Sequence, residues 1–138
     1  MRPVRGARAA ECGPMGARLL LAILLGGAAG GLARAGLEQA WPADGRSWPW
    51  VTFAVNLAGT ALLAYVITRL GERPYARPLL GIGLCGALTT FSTLQLEALE
   101  LVHGHHAALG AAYALVSIAG GLAVAQAVTS LSRPGRAA

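Results

Sequence analysis

The stretch Gly81-Ile82-Gly83-Leu84-Cys85-Gly86-Ala87-Leu88-Thr89-Thr90-Phe91-Ser92-Thr93 decides how this chain folds. It lies inside an apolar block over 78–102, and a bilayer core about 30 Å thick needs about 20 such residues in a helix. Three glycines, then four hydroxyl residues around one aromatic, are poor material for an unbroken lipid-facing helix. A break in mid-membrane frees backbone carbonyls, which must then face protein or an ion. Such oxygens suit a hard monovalent cation. The plainer alternative is a glycine-hinged packing helix, and the stretch alone leaves both open.

Outward from it, three more apolar blocks occupy 18–37, 50–70 and 107–131, each long enough to span. Lipid offers backbone groups no partner, so each block is expected to be helical. The expectation is an all-α integral membrane protein: a mobile N-terminal tail over 1–14, a four-helix transmembrane domain over 15–132, and a C-terminal tail over 133–138. Composition agrees. The 138 residues are 55% hydrophobic and 12% charged, half the charge of an ordinary soluble domain, and the mean hydropathy is +0.56. A signal peptide ending near Ala33-Arg34-Ala35 would leave three spans and no use for the glycines of the first block. Cys12 reads as a free tail thiol and Cys85 as a small buried residue.

The net charge of +5 could suggest nucleic acid, but all 11 basic residues are arginines lying between apolar blocks. With four spans, Arg2, Arg5, Arg8, Arg18, Arg69, Arg73, Arg77, Arg133 and Arg136 share one side, leaving Arg34 and Arg46 on the other. Nine against two, by the positive-inside rule, places both termini in the cytoplasm. No nucleic-acid partner is expected. Trp41, Trp48 and Trp50 cluster where the first loop meets the second span, as interfacial anchors do.

Polar residues within the spans are few. Gly26 and Gly30 form one of two overlapping G-x-x-x-G pairs, which let another helix backbone approach. Arg34, one turn beyond, either snorkels to the interface or stays as a buried structural or anion-attracting charge. Asn56, with Gly59 and Thr60 on its face, offers two donors and one acceptor, for an interhelical bond or for an ion path. Phe91 presents a ring edge of positive partial charge. Glu97 and Glu100 read as a solvated helix end. His103, His105 and His106 resemble a metal cluster only superficially. Tyr113, Ser117 and Gly121 recur at i, i+4 and i+8 on one face.

Taken together, Gly26-Gly27-Ala28-Ala29-Gly30 with Arg34, Asn56 with Gly59, Gly86 before Thr89-Thr90-Phe91-Ser92-Thr93, Glu97, and the spacing of Tyr113 to Ser117 resemble the CrcB/Fluc fluoride channel family over 26–121. The resemblance implies four-helix subunits paired as an antiparallel dimer in the bacterial inner membrane, with the third helix broken at mid-membrane. Fluoride would leak out passively along the subunit interface, and no enzyme chemistry is implied. Asn56, Phe91, Thr93, Tyr113 and Ser117 fall at pore-lining or polar-track positions. Gly26, Gly30, Arg34 and Glu97 are structural by the same likeness. A structural sodium ion, not transported, would be held by the backbone carbonyls of Gly86 and Thr89.

One position departs. Where the family pattern repeats a phenylalanine three residues after the first, this chain has Leu94, which has no electropositive edge to offer. That change and the nine-to-two arginine bias together favour pairing with a homologous second subunit. Two other functions compete: a small multidrug-type exporter, for which Glu38 is the sole carboxylate of the first span, and a non-conducting structural subunit.

Overall fold

The computed structural model describes residues 14–71 and 73–132, with side chains from Gly16 onward. The tails expected over 1–14 (Pro14 apart) and 133–138, and Cys12, lie outside the described residues. Helix α1 covers Pro14–Ala40 and α2 covers Trp50–Arg69. The third span is built in pieces: α3, Pro78–Cys85, continues through one α-turn, Gly86–Leu88, and α4 follows over Phe91–His103. Helix α5 is Ala107–Ser132. Four stretches, Gly16–Ala40, Trp50–Arg69, Pro78–His103 and Ala107–Ser132, are long and apolar enough to cross a membrane. No strand occurs among the described residues. The protein is an all-α, four-span membrane protein with an interrupted third helix.

Local chemistry sets the ends. Helix α1 runs past residue 37 because Glu38, Gln39 and Ala40 are good helix formers. It stops before Trp41, where Pro42 disfavours helical backbone in the residue ahead of it. Pro78 opens α3 at the first helical position, where its missing N–H costs little.

The α1–α3 seam is backbone against backbone. A Cβ on Gly26 would collide with the Leu79 carbonyl, and one on Gly30 with the Leu84 carbonyl. From the other side, a Cβ on Gly83 would lie 2.6 Å from the Ile23 carbonyl. The Gly26 and Gly30 pair thus serves close packing, the use expected of it. The overlapping pair does not: a Cβ on Gly27 would have only the Gly83 carbonyl, at 3.9 Å, and one on Gly31 nothing within 4 Å. Helix α3 is wound as a π-helix along this seam, a winding rare beyond single turns.

On the far side, Gly110 of α5 lies against the Ala98 carbonyl of α4, 2.7 Å from where its Cβ would be. Leu94, Leu101 and Tyr113 form the buried cluster there. Trp48 stands edge-on to Tyr113 at 5.4 Å and to Phe53 at 5.6 Å. This corrects the reading of three tryptophan anchors: Trp41 and Trp50 are exposed, whereas Trp48 packs inward. The α1–α2 loop turns it in. Asp44 Oδ1 accepts from the Arg46 and Ser47 N–H groups and from Ser47 Oγ, and Gly45 takes φ +66°. Those bonds, the Arg46 N–H first, hold the Asp44 carboxyl down to about 2.

Candidate functional site

Thr89 and Thr90 leave the helix, with ψ of 145° and 126°, so the third span is broken there. The freed backbone groups find partners from two directions. The Asn56 amide from α2 reads both polar groups of Thr90: Nδ2 donates to the Thr90 carbonyl at 2.9 Å, and Oδ1 accepts its N–H at 2.8 Å. Arg34 from α1 donates through Nε to the Ala87 carbonyl at 3.2 Å, and its Nη1 meets both Glu38 oxygens at 3.1 Å. Arg34 is therefore bound at the C-terminal end of the first half-helix, where cations are favoured. It does not snorkel away. Thr89 stays attached to the first half by donating its N–H and its hydroxyl to the Cys85 carbonyl, at 3.0 and 2.9 Å. Cys85 is buried, as expected.

The second half starts on a cap. Thr90 Oγ1 accepts the Thr93 N–H at 3.2 Å and donates to Thr93 Oγ1 at 3.0 Å, the role threonine plays ahead of a helix. Gly59 of α2 faces this turn, 2.5 Å from Thr89 Cγ2 where its own Cβ would stand. Any side chain there would push Thr89 out of place.

These arrangements leave a groove of about 410 Å³ between α2, the break and α5, lined by Asn56, Thr60, Thr90, Phe91, Leu94 and Ser117. Phe91 is 65% exposed. Ser117 Oγ is shielded yet has no hydrogen-bond partner among the described residues. Asn56 has two amide hydrogens, and the clamp on Thr90 uses one. An amide with a spare donor, hydroxyl residues and an aromatic ring thus line one otherwise apolar groove. Leu94 lines it too, although 6% exposed and packed into the buried cluster.

Thr93, Glu97 and Tyr113 sit elsewhere. Thr93 and Glu97 line a second cavity of about 430 Å³ under the α1–α2 loop, with Glu38, Asp44, Trp48 and Thr52. Glu97 is not a solvated helix end. It is 8% exposed, accepting Thr52 Oγ1 at 2.6 Å and the Tyr113 hydroxyl at 2.7 Å. Burial under Trp48 and Tyr113, contributed by other elements, overrode its position near the turn. Tyr113 itself is fully buried. Glu100, by contrast, is exposed.

Thr52 escaped the sequence reading. Yet Thr52, Asn56 and Thr60 recur at i, i+4 and i+8, the spacing that singled out Tyr113 and Ser117. His103 ends α4 and His105 and His106 follow it in the turn, all three exposed. No group of three His, Cys, Asp or Glu among the described residues is placed to hold a metal ion. Around the break, the carbonyls of Cys85, Ala87 and Thr90 already accept hydrogen bonds. Gly86 lies exposed there, nothing within 4 Å of its would-be Cβ except the Gly81 carbonyl at 4.0 Å. Thr90 N–H is turned to Asn56 and away from the Gly86 carbonyl.

The family model described as CrcB-like protein, Camphor Resistance (CrcB), matches residues 21–129. A protein named fluoride-specific ion channel FluC 1 from Mycolicibacterium paratuberculosis is 51% identical over 120 residues, covering 84% of this chain and 91% of its own. One of the same name from Mycobacterium tuberculosis is 49% identical over equal coverage. Fluoride-specific ion channel FluC from Hahella chejuensis is 43% identical over 105 residues, 72% of this chain and 82% of its own. Four apolar spans, a third one broken at Thr89 and Thr90, and these matches agree: the chain belongs to the CrcB family.

Proposed function

We propose that the chain is a subunit of a fluoride channel that lets fluoride leave the cytoplasm down its gradient. It works as an antiparallel dimer in the bacterial inner membrane, with both termini cytoplasmic. The observation that carries this reading is the groove at the break, lined together by Asn56 with its spare N–H, by Phe91, and by Ser117, whose hydroxyl has no partner among the described residues. Fluoride is small and tightly hydrated, so removing its water requires dense donors and positive ring edges. The relatives' names support fluoride as the ion. The groove is open along one side, and a second copy would close it. No bond is made or broken in such passage, and no enzyme chemistry is needed. Glu38, the carboxylate an exporter would use, is paired with Arg34 at the end of α1.

Sodium fits the break. The carbonyls of Gly86 and Thr89 are hard, neutral oxygens of the kind that unwound membrane helices offer to that ion, and exposed Gly86 leaves room for a second copy to add more. A bound cation lowers the cost of an anion nearby. The ion is structural in this reading and is not transported.

Fluoride-electrode recordings from proteoliposomes test the function. Efflux should run down the fluoride gradient with no proton gradient imposed, and Phe91→Ile should slow it by up to about tenfold, the equivalent of one aromatic-edge interaction. Flux no greater than from empty liposomes, with or without a homologous partner, overturns the reading. Flux through the complex that Phe91→Ile leaves unchanged assigns this chain a scaffold role. The nine-to-two arginine bias favours a heterodimer with an oppositely oriented homologue. Full-rate conduction by this chain alone through both paths excludes that pairing.

A further inference from the structure

The cavity of about 430 Å³ under the α1–α2 loop is lined by all three tryptophans of the chain, Trp41, Trp48 and Trp50, together with Glu38, Asp44 and Glu97. No arginine lines it. The ring centroids of Trp48 and Trp50 are 5.8 Å apart with their planes tilted by 39°, neither stacked flat nor edge-on. Interfacial anchoring accounts for the exposed Trp41 and Trp50. It does not account for a third ring turned inward, or for carboxyl groups sharing one cavity with all three. Those carboxyls differ in what already holds them. Glu38 is paired with Arg34, and Glu97 accepts the Thr52 and Tyr113 hydroxyls. The bonds to Asp44 come from the Arg46 and Ser47 N–H groups and the Ser47 hydroxyl, all neutral, so its negative charge stands.

We infer that this cavity binds an organic cation of the alkylammonium class, its charge beside Asp44 and its methyl groups against the tryptophan rings. Charge complementarity selects the sign. With its carboxyl held down to about 2, Asp44 is ionised at any physiological pH and repels an anion. The rings select the kind of cation. Tryptophan is the best aromatic partner for a positive charge, and quaternary ammonium groups are the ligands such aromatic sites recognise. A sodium ion holds its water too tightly to profit from ring faces. The volume is that of a small-molecule site. Free solutes and phospholipid headgroups both carry this ammonium chemistry. The inference is independent of which ion the chain carries.

Tryptophan fluorescence of the full-length chain in maltoside micelles tests it, because every tryptophan lines the cavity. Tetramethylammonium chloride should change the emission saturably, with a midpoint at least about tenfold below any response to sodium chloride at matched ionic strength. Trp50→Leu should raise that midpoint by about threefold, with Trp41 and Trp48 still reporting. Asp44→Asn keeps an oxygen for the loop's N–H groups but removes the charge, and should raise it by about threefold as well. If Asp44→Asn disturbs the loop, Trp50→Leu carries the test alone. Tyr75→Leu, an exposed aromatic of the other loop, should change nothing. Dihexanoyl phosphatidylcholine, set against dihexanoyl phosphatidylglycerol, identifies the source. A choline lipid that binds more tightly than tetramethylammonium, with no response to the glycerol lipid, supports a headgroup as the occupant, and the reverse order supports a free solute. No saturable change with either ammonium compound overturns the inference. So do an equal response to sodium chloride, a midpoint unmoved by Trp50→Leu, or an equal loss with Tyr75→Leu.

Discussion

Asn56→Leu removes both hydrogen bonds that hold the broken third span while leaving a side chain of similar volume. The loss is two-sided: the Thr90 N–H gives up its acceptor and the Thr90 carbonyl its donor. A buried group left unpaired costs about 1–3 kcal/mol, while side-chain bonds between membrane helices average about 0.6 and reach about 1.7 kcal/mol. Asn56 is half-buried and borders the open groove, where water can reach part of the gap. The lower scale therefore governs, and two bonds give about 2 kcal/mol. Reversible unfolding of the full chain in mixed micelles should show that destabilisation. Amide exchange at Thr90 should accelerate by about thirtyfold, the same free energy read locally. Neighbouring amides within α4 should change far less, because their bonds are helical. If stability moves by less than about 0.5 kcal/mol and Thr90 exchanges no faster, Asn56 does not hold the break, and its place at the groove is a matter of lining alone.

Other substitutions probe the remaining contacts. Gly26→Ala should destabilise by about 2–3 kcal/mol or abolish folding, because the new methyl meets the Leu79 carbonyl and no side chain can yield. Gly31→Ala, with nothing within 4 Å, should be tolerated in the same unfolding assay. Glu97→Ala strands the Thr52 and Tyr113 hydroxyls and should cost about 2–5 kcal/mol. A double-mutant cycle with Thr52→Val should show a coupling above about 0.5 kcal/mol, and strict additivity would mean the two do not interact. Asp44 has its carboxyl held near 2 against an ordinary 3.8. Its folded value is depressed, so its support of the loop is complete above about pH 4 and fades as pH falls toward 2. Tryptophan fluorescence should show that acid step in the native chain, and Asp44→Asn should remove it.

The spans were legible because length and hydropathy alone decide them in lipid. The break was legible too, as glycines followed by hydroxyls. What closes it was not, because the Asn56–Thr90 pair lies 34 positions apart and Arg34–Ala87 lies 53 apart. Asn56 as bond-maker and Asn56 as path-liner stood as alternatives in the sequence. The geometry makes them compatible, since one N–H and the carbonyl oxygen serve the clamp and one N–H is spare. Glu97 was misread for a different reason. Its surroundings come from Thr52, Trp48 and Tyr113, on three elements other than its own helix, and helix position carries no information about them. Tyr113 and Ser117 share a helix face, but the face runs under Trp48 at one end and along the groove at the other.

The two halves of the third span belong to different packing units, and that accounts for where the polar residues sit. Helix α3 is locked to α1 through backbone contacts at Gly26, Gly30 and Gly83. Helix α4 is locked to α5 through Gly110 and the cluster of Leu94, Leu101 and Tyr113. Neither seam can shift without collision, so any mismatch between them must be taken up at Thr89 and Thr90. Two polar residues hold that joint: Arg34 from α1 binds the last turn before it, and Asn56 from α2, which touches both units, binds Thr90 within it. A break held this way is rigid on both flanks and polar only at its centre. Donors fixed in advance need no reorganisation when an anion loses its water, which is what a narrow path for a strongly hydrated ion requires. Loosening either seam should therefore impair passage even where every groove-lining side chain is kept, and Gly110→Ala, at a residue that does not line the groove, is the substitution that separates the two effects. Undiminished fluoride flux in a folded Gly110→Ala protein would show that the rigidity of the flanks is irrelevant to conduction.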